Sequence, residues 1–252
     1  MPLSKRQSAL LNALRSRHGR KKSEFCRCEG VRCCSEVYAR NPELVCFSVA
    51  TPERAAELSI PGEVVLLSEN ELREYGETVN MQGVVAVVRR PETGDFVKNE
   101  CAQEFIPVLD QVGDPGNFGT ILRTAKAAGL NDVWYTAGSV DPYNDKVIRS
   151  ALSAQFSMNL RCFENLAVLR QFGIENGYPA IYLTDPHQGE NCFAAEKLFS
   201  RSLVVIGSEG HGVSEVDGAV RVTIPMPGNF ESLNAAQAAT IFIFEYVRRI
   251  TK

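Results

Sequence analysis

Residues 224–239, Ile-Pro-Met-Pro-Gly-Asn-Phe-Glu-Ser-Leu-Asn-Ala-Ala-Gln-Ala-Ala, decide the fold. A β-branched run, 220–224, leads into them, and two prolines and a glycine then fix a path that neither helix nor strand can follow. Ser232 is the predicted N-cap of a helix reaching about Arg249, with Leu233, Ala236, Ile243, Val247 and Ile250 on one face. Ala235, Ala236, Ala238 and Ala239 let another backbone approach its first turns. A rigid bend at a helix N-terminus, with unbonded N–H groups around it, suits a polar ligand. A tight loop before a packed terminal helix meets the same pattern, so this stretch alone does not choose between them.

Upstream, strands expected at 105–109, 132–135, 156–160, 180–184 and 203–206 alternate with helices at 117–128, 146–152, 166–172 and 213–216. Apolar runs in these strands point to a mostly parallel sheet covered on both faces. Before them, strands at 25–28, 44–49, 63–67 and 84–88 alternate with helices at 4–17, 31–39, 52–58 and 68–75. The expectation is an α/β chain: a smaller N-terminal α/β domain (1–90), a polar linker (91–103) broken by Pro91 and Gly94, and a C-terminal α/β domain (104–252).

A chain of 252 residues that is 44% hydrophobic is globular, and no run approaches the ~18 apolar residues of a membrane helix. The N-terminus lacks the apolar core of a secretory signal, so a cytoplasmic protein without membrane partners is expected. The net charge of −3 carries no global basic field. Lys5, Arg6, Arg15, Arg17, His18, Arg20, Lys21 and Lys22 nevertheless crowd the first helix and its exit, either as a solvated face or as an RNA-facing patch. Among the eight cysteines, Cys26, Cys28, Cys33 and Cys34 follow C-x-C-x4-C-C, without the C-x2-C knuckles of a structural zinc site. They read as small buried hydrophobes, and no metal is expected.

Three further stretches carry chemistry. Residues 110–123, Asp-Gln-Val-Gly-Asp-Pro-Gly-Asn-Phe-Gly-Thr-Ile-Leu-Arg, run from a strand end into a helix, where ligands bind in α/β sheets. Asn117 and Gly119 fall at the turn and the first helical positions, and Arg123 can pair bidentately with a phosphate. Residues 203–212 end a buried strand in Gly-Ser-Glu-Gly-His-Gly, which lets a ligand approach the backbone and presents Glu209. That order is neither a dinucleotide fingerprint nor a P-loop, which disfavours a nucleotide-dependent oxidoreductase or kinase. Residues 141–150 repeat the turn-then-helix form, with Lys146 and Arg149 available for phosphate. For each stretch a plain capped helix or connecting loop satisfies the same pattern.

D-P-x-N-x-G-x3-R, then G-x-E-G-x-G, then I-P-M-x-G-x3-S-L-N, in this order, resemble the SpoU (TrmH) family of RNA ribose 2′-O-methyltransferases, of the SPOUT class. The likeness is strongest over 105–252. It extends through Cys28-Glu-Gly-Val-Arg and Met81-Gln-Gly-Val-Val-Ala to that family's ribosomal-protein-like RNA-binding domain. The resemblance implies a deep trefoil knot, a rare exception to unthreaded connectivity. It implies S-adenosylmethionine held near Thr184, Gly207, Ile224, Met226 and Leu233, and an active site of Asn117, Arg123, Glu209, Ser232 and Asn234. It also implies a homodimer joined through the C-terminal domain, and a structured RNA substrate, ribosomal or transfer. RNA contacts are expected at Lys21, Lys22, Lys146 and Arg149. The chain departs from the family pattern at Ala-Ala-Gln after Ser-Leu-Asn and at Ser153-Ala-Gln. A non-catalytic RNA-binding protein on the same fold is the alternative.

Overall fold

The computed structural model describes residues 2–251 apart from 77, 79, 93–102, 209 and 229. Its contacts divide the chain into two compact units, Met1–Glu92 with Asp141–Ser157, and Thr93–Val140 with Met158–Lys252. Chain order begins α1 (Lys5–Arg15), α2 (Arg17–Lys21), β1 (Phe25–Glu29), α3 (Val31–Arg40), β2 (Val45–Ala50), α4 (Pro52–Glu57), β3 (Glu63–Leu66), α5 (Glu69–Arg73) and β4 (Val84–Arg89). It continues β5 (Phe105–Asp110), α6 (Pro115–Ala127), β6 (Asp132–Thr136), α7 (Asp145–Ala151), β7 (Asn159–Phe163), α8 (Leu166–Glu175) and β8 (Ala180–Thr184). Last come β9 (Glu190–Asn191), β10 (Ser202–Gly207), β11 (Val220–Thr223) and α9 (Ala235–Ile250).

The first unit is built on a four-stranded sheet, order β1-β4-β2-β3. Its central strand β4 is apolar on both faces, and the two-residue period of a strand sorts its side chains. Val84, Ala86 and Val88 join Cys26, Cys28, Cys33 and Cys34 in one core. Val85 and Val87 join Leu11 and Leu14 of α1 in the other. The four cysteines are thus the small buried hydrophobes expected, all free thiols. Burial pushes the Cys34 thiol up to about 12, so it stays protonated and inert.

Helix α7 belongs to this unit. Ile148 and Phe156 pack into the cysteine-lined core, Ser153 Oγ donates to the Cys33 carbonyl at 3.1 Å, and Arg27 Nε donates to Asp145 Oδ2 at 3.1 Å. The division into 1–90, 91–103 and 104–252 therefore needs a correction: residues 141–157 leave the C-terminal half to complete the first unit. A shift in composition marks a break in the chain, but an excursion whose helix is amphipathic like its neighbours leaves no such mark. Most of the segment read as a linker, 93–102, lies outside the described residues.

The second unit holds a seven-stranded sheet, order β7-β6-β5-β10-β8-β11-β9, and every pairing in it is parallel. Ile106, Val108, Trp134, Leu169, Leu203 and Val205 fill one core. The α/β class with a mostly parallel sheet is the one expected.

Several boundaries differ from expectation. The terminal helix is capped by Asn234, whose side chain accepts from the N–H groups of Ala236 and Gln237 at 3.0 and 3.3 Å; Ser232 and Leu233 lie outside it. Asn117 is not in the turn: Asp114 caps α6 and accepts the Asn117 N–H at 2.8 Å. Residues 213–216 form no helix; buried Asp110 takes the Ser214 N–H at 2.7 Å, a bond that replaces a helical one. The strand expected at 156–160 begins at Asn159, after a 3-10 turn over Ala154–Ser157.

Candidate functional site

Strands β10, β8 and β11 lie side by side in the sheet. The loops leaving their C-terminal ends, together with α9, enclose a cavity of about 310 Å³. That lies within the ~300–1,000 Å³ range of small-molecule sites. Thr184, Gly207, Ile224, Met226 and Leu233, the five residues expected to hold a cofactor, all line it, and so does Ser232. Other wall residues were missed by sequence reasoning, Asp185, Ser208 and Phe242 among them. The first two directly follow strand ends, which is where ligand contacts concentrate. Phe242 shares a helical face with Ala235 and Ala238, two other wall residues, once the helix start is placed correctly.

The wall is held at close backbone range. A Cβ on Gly207 would lie 2.2 Å from the Gly212 carbonyl oxygen, so only glycine fits there. The turn that follows is closed in both directions: the Ser208 N–H donates to the Gly212 carbonyl at 3.1 Å and the Gly212 N–H to the Ser208 carbonyl at 2.9 Å. Gly212 has φ +68, a conformation glycine adopts freely. Behind the turn, Asp110 Oδ1 accepts from Thr136 Oγ1 at 2.7 Å while Oδ2 holds Ser214.

The loop after β8 is fixed by Asp185. Its Oδ1 accepts the N–H groups of His187 and Gln188, each at 2.8 Å, and its Oδ2 accepts from Arg221 Nη1 at 2.5 Å. Burial pushes this carboxyl up, but the two N–H groups and the guanidinium outweigh it, so Asp185 is held below its ordinary value and stays ionised. Apolar Ile224, Met226, Leu233 and Phe242, with strand-end backbone groups at Thr184 and Gly207, suit a ligand with a flat apolar part and a polar rim. S-adenosylmethionine is of that kind, and the residues present fit it.

Of the expected catalytic residues, the structure joins Asn234 and Asn117: Asn234 Nδ2 donates to Asn117 Oδ1 at 2.9 Å, linking α9 to α6. Arg123 is an exposed residue of the same α6, with no ion pair among the described residues. Neither asparagine nor Arg123 is part of the cavity wall. Glu209 lies outside the described residues. Lys21, Lys22, Lys146 and Arg149 all belong to the first unit, although they are far apart in sequence. Among the described residues there is no cluster able to hold a metal ion, and no helix is long and apolar enough to cross a membrane.

Comparison with known proteins gives the following. The SpoU rRNA methylase family model matches residues 104–244. A tRNA/rRNA methyltransferase of Synechocystis sp., described as uncharacterized, is 33% identical over 189 residues, 73% of this chain and 67% of that one. A 23S rRNA (guanosine(2553)-2′-O)-methyltransferase of Bacillus subtilis is 32% identical over 187 residues, 71% of this chain and 70% of that one. The crystal structure of a SpoU methyltransferase from Streptomyces viridochromogenes in complex with AdoMet superposes with a TM-score of 0.82 at 27% identity, covering 99% of both chains.

Proposed function

The chain belongs to the SpoU rRNA methylase family, and from that premise we propose that it methylates a ribose 2′-OH of a structured RNA, ribosomal or transfer, using S-adenosylmethionine. The observation that carries this reading is the cavity at the ends of β8, β10 and β11, whose wall contains every residue expected to hold the donor. Bound there, S-adenosylmethionine supplies a sulfonium-activated methyl group. The residues of the chain must place a weak nucleophile in line with it. The C–O bond forms as the methyl–sulfur bond breaks, and the hydroxyl proton leaves to solvent.

Arg123 is not the base, because a guanidinium stays protonated in proteins. It holds the phosphate next to the target ribose and stabilises the developing alkoxide. Glu209 and Asn117 orient it, and Asn234 fixes Asn117. The first unit is the RNA-binding domain, with Lys21, Lys22, Lys146 and Arg149 on the phosphates. The second unit is knotted; in support, β8, β10 and β11 are neighbours out of chain order, and a Cβ on Gly189 would fall 2.4 Å from the Arg221 backbone. The enzyme is a homodimer joined through the second unit; in support, α9 leaves Phe244 47% and Ile250 56% exposed.

The test is methyl transfer from labelled S-adenosylmethionine to total RNA from cells lacking the gene, followed by mapping of 2′-O-methyl positions. One site or a few, gained only with the protein, is the expected result. Donor binding without any transfer would establish the non-catalytic alternative. Arg123→Ala should lower kcat/KM by roughly 100-fold, and Arg123→Lys by less, since lysine keeps the charge without the fork. Full turnover in both variants would end this role for Arg123.

A further inference from the structure

The first unit contains a cavity of its own, about 190 Å³, lined by Glu29, Gly30, Arg32, Cys33, Gln82 and Arg149 among others. Helix α3 begins at its edge. The N-cap is Gly30, at φ +99 and with no side chain to satisfy the first turn. The Val31 N–H donates to Gln82 Oε1 at 2.8 Å. The N–H groups of Arg32 and Cys33 have no carbonyl of their own helix to bond. Across the cavity, Nη1 of Arg149 is sealed from solvent and makes no hydrogen bond. Arg32 is exposed, with no ion pair among the described residues.

The charges in this space do not balance. A helix N-terminus, worth about half a positive charge, meets two guanidinium groups. Among the described residues the one carboxylate in the wall is Glu29, and it is already engaged: Oε1 accepts from the Thr78 N–H at 3.0 Å and from its hydroxyl, and Oε2 lies 4.0 Å from Arg27 Nη2. A sealed charged donor without an acceptor is costly, and among the described wall residues the surplus is positive. We propose that this cavity binds a phosphate-type oxyanion, and that in the working enzyme the oxyanion is a phosphodiester of the substrate RNA. The source of the phosphate rests on the function proposed above; the site itself does not. A phosphate here takes up the Arg149 fork, the free N–H groups of α3 and, at the rim, Arg32.

The experiment uses the full-length protein and two probes. Inorganic phosphate, against chloride at matched ionic strength, should raise the melting temperature of the wild type but not of Arg149→Ala. RNA from cells lacking the gene, titrated at several salt concentrations, should bind Arg149→Ala about ten-fold more weakly, with a salt slope smaller by about one. Arg32→Ala, at an exposed position that folding does not need, should move in the same direction by less, and it decides the matter if Arg149→Ala fails to fold. S-adenosylmethionine binding should be unchanged throughout. Wild-type RNA affinity and salt slope in both variants, with no difference in phosphate stabilisation, overturns the site. Phosphate stabilisation lost without any change in RNA binding overturns the assignment to RNA. A wild type that binds phosphate but transfers no methyl group to RNA overturns the proposed function and leaves the site standing.

Discussion

The two cavities of this protein are made of opposite materials. In the second unit the wall is mostly strand-end backbone, small residues and apolar side chains, with the carboxylates of Asp185 and Glu231 among them. Asp185, in that wall, and Asp110, behind it, are engaged in holding loops. In the first unit two arginines stand in the wall itself, and a buried Arg27–Asp145 ion pair ties α7 to β1. Recognition by shape requires a backbone that cannot move. Recognition by charge requires donors left without partners. Each predicted variant below attacks one side of that contrast.

The largest effect is expected at Gly207. Any side chain there meets the Gly212 backbone, not a flexible neighbour that could step aside. Gly207→Ala should cost about 3 kcal/mol or more of misfit, a loss of roughly 100-fold in S-adenosylmethionine affinity by calorimetry. Wild-type affinity would show that the turn repacks and that the pocket is not built by close backbone approach.

Arg27 comes next, on the charged side of the contrast. Arg27→Met takes the guanidinium away from buried Asp145 and should cost about 3–5 kcal/mol in urea unfolding. Arg27→Met with Asp145→Leu should recover most of it, because removing both partners of a buried pair is often neutral. If the double variant is as unstable as the single one, the pair does more than satisfy itself, and other partners of Arg27, such as the Tyr75 carbonyl and buried Glu29, become the candidates.

How far the sequence foretold these regions differs for the same reason. Part of the cavity wall was legible: Thr184, Gly207, Ile224, Met226 and Leu233 line it, at strand ends and turns marked by Gly and Pro. The family resemblance named those five residues; local chemistry by itself marked only the turns they sit in. The placement of 141–157 was not legible, because the contacts of Ile148 and Phe156 with Cys26 and Ala86 are more than 50 residues distant and leave no periodic signal. The same holds for Asn234. Ser232 is also a good cap by residue type, and only the bonds to Ala236 and Gln237 choose between the two.

A smaller effect depends on pH. Glu245, buried on α9, accepts from Arg248 Nε at 2.7 Å and from Arg249 Nε at 2.8 Å. The Arg248 hydrogen bond comes first, then burial opposing it, then Arg249, and together they hold the carboxyl at about 2 against an ordinary 4.5. A folded-state value below the unfolded one gives stability that is complete above about 4.5 and lost as the pH falls toward 2, at most about 3 kcal/mol. Arg248 is largely exposed, so solvent screening reduces that ceiling. Urea unfolding of wild type and Glu245→Gln at pH 7 and pH 3 should show the wild-type advantage shrinking at pH 3. A gap that stays constant would place the stabilisation in the shape of the network, including the bonds of Arg249 to the Cys192 and Ala195 carbonyls, and not in the charge.

The smallest stability effect belongs to Asn234, and it separates two jobs done by one side chain. Its Oδ1 caps α9, and its Nδ2 reaches Asn117 on α6. Asn234→Ala loses both and should cost about 1 kcal/mol of stability together with turnover. Asn234→Asp keeps the capping oxygen, and its negative charge suits a helix N-terminus, so stability should hold or rise slightly. It cannot donate to Asn117, however. If Asn117 must be held for Arg123 to act, the aspartate variant will be as stable as wild type, will bind S-adenosylmethionine as wild type does, and will methylate RNA more slowly. Full activity in the aspartate variant would mean that the link between α6 and α9 only holds the two helices together and takes no part in positioning the active site.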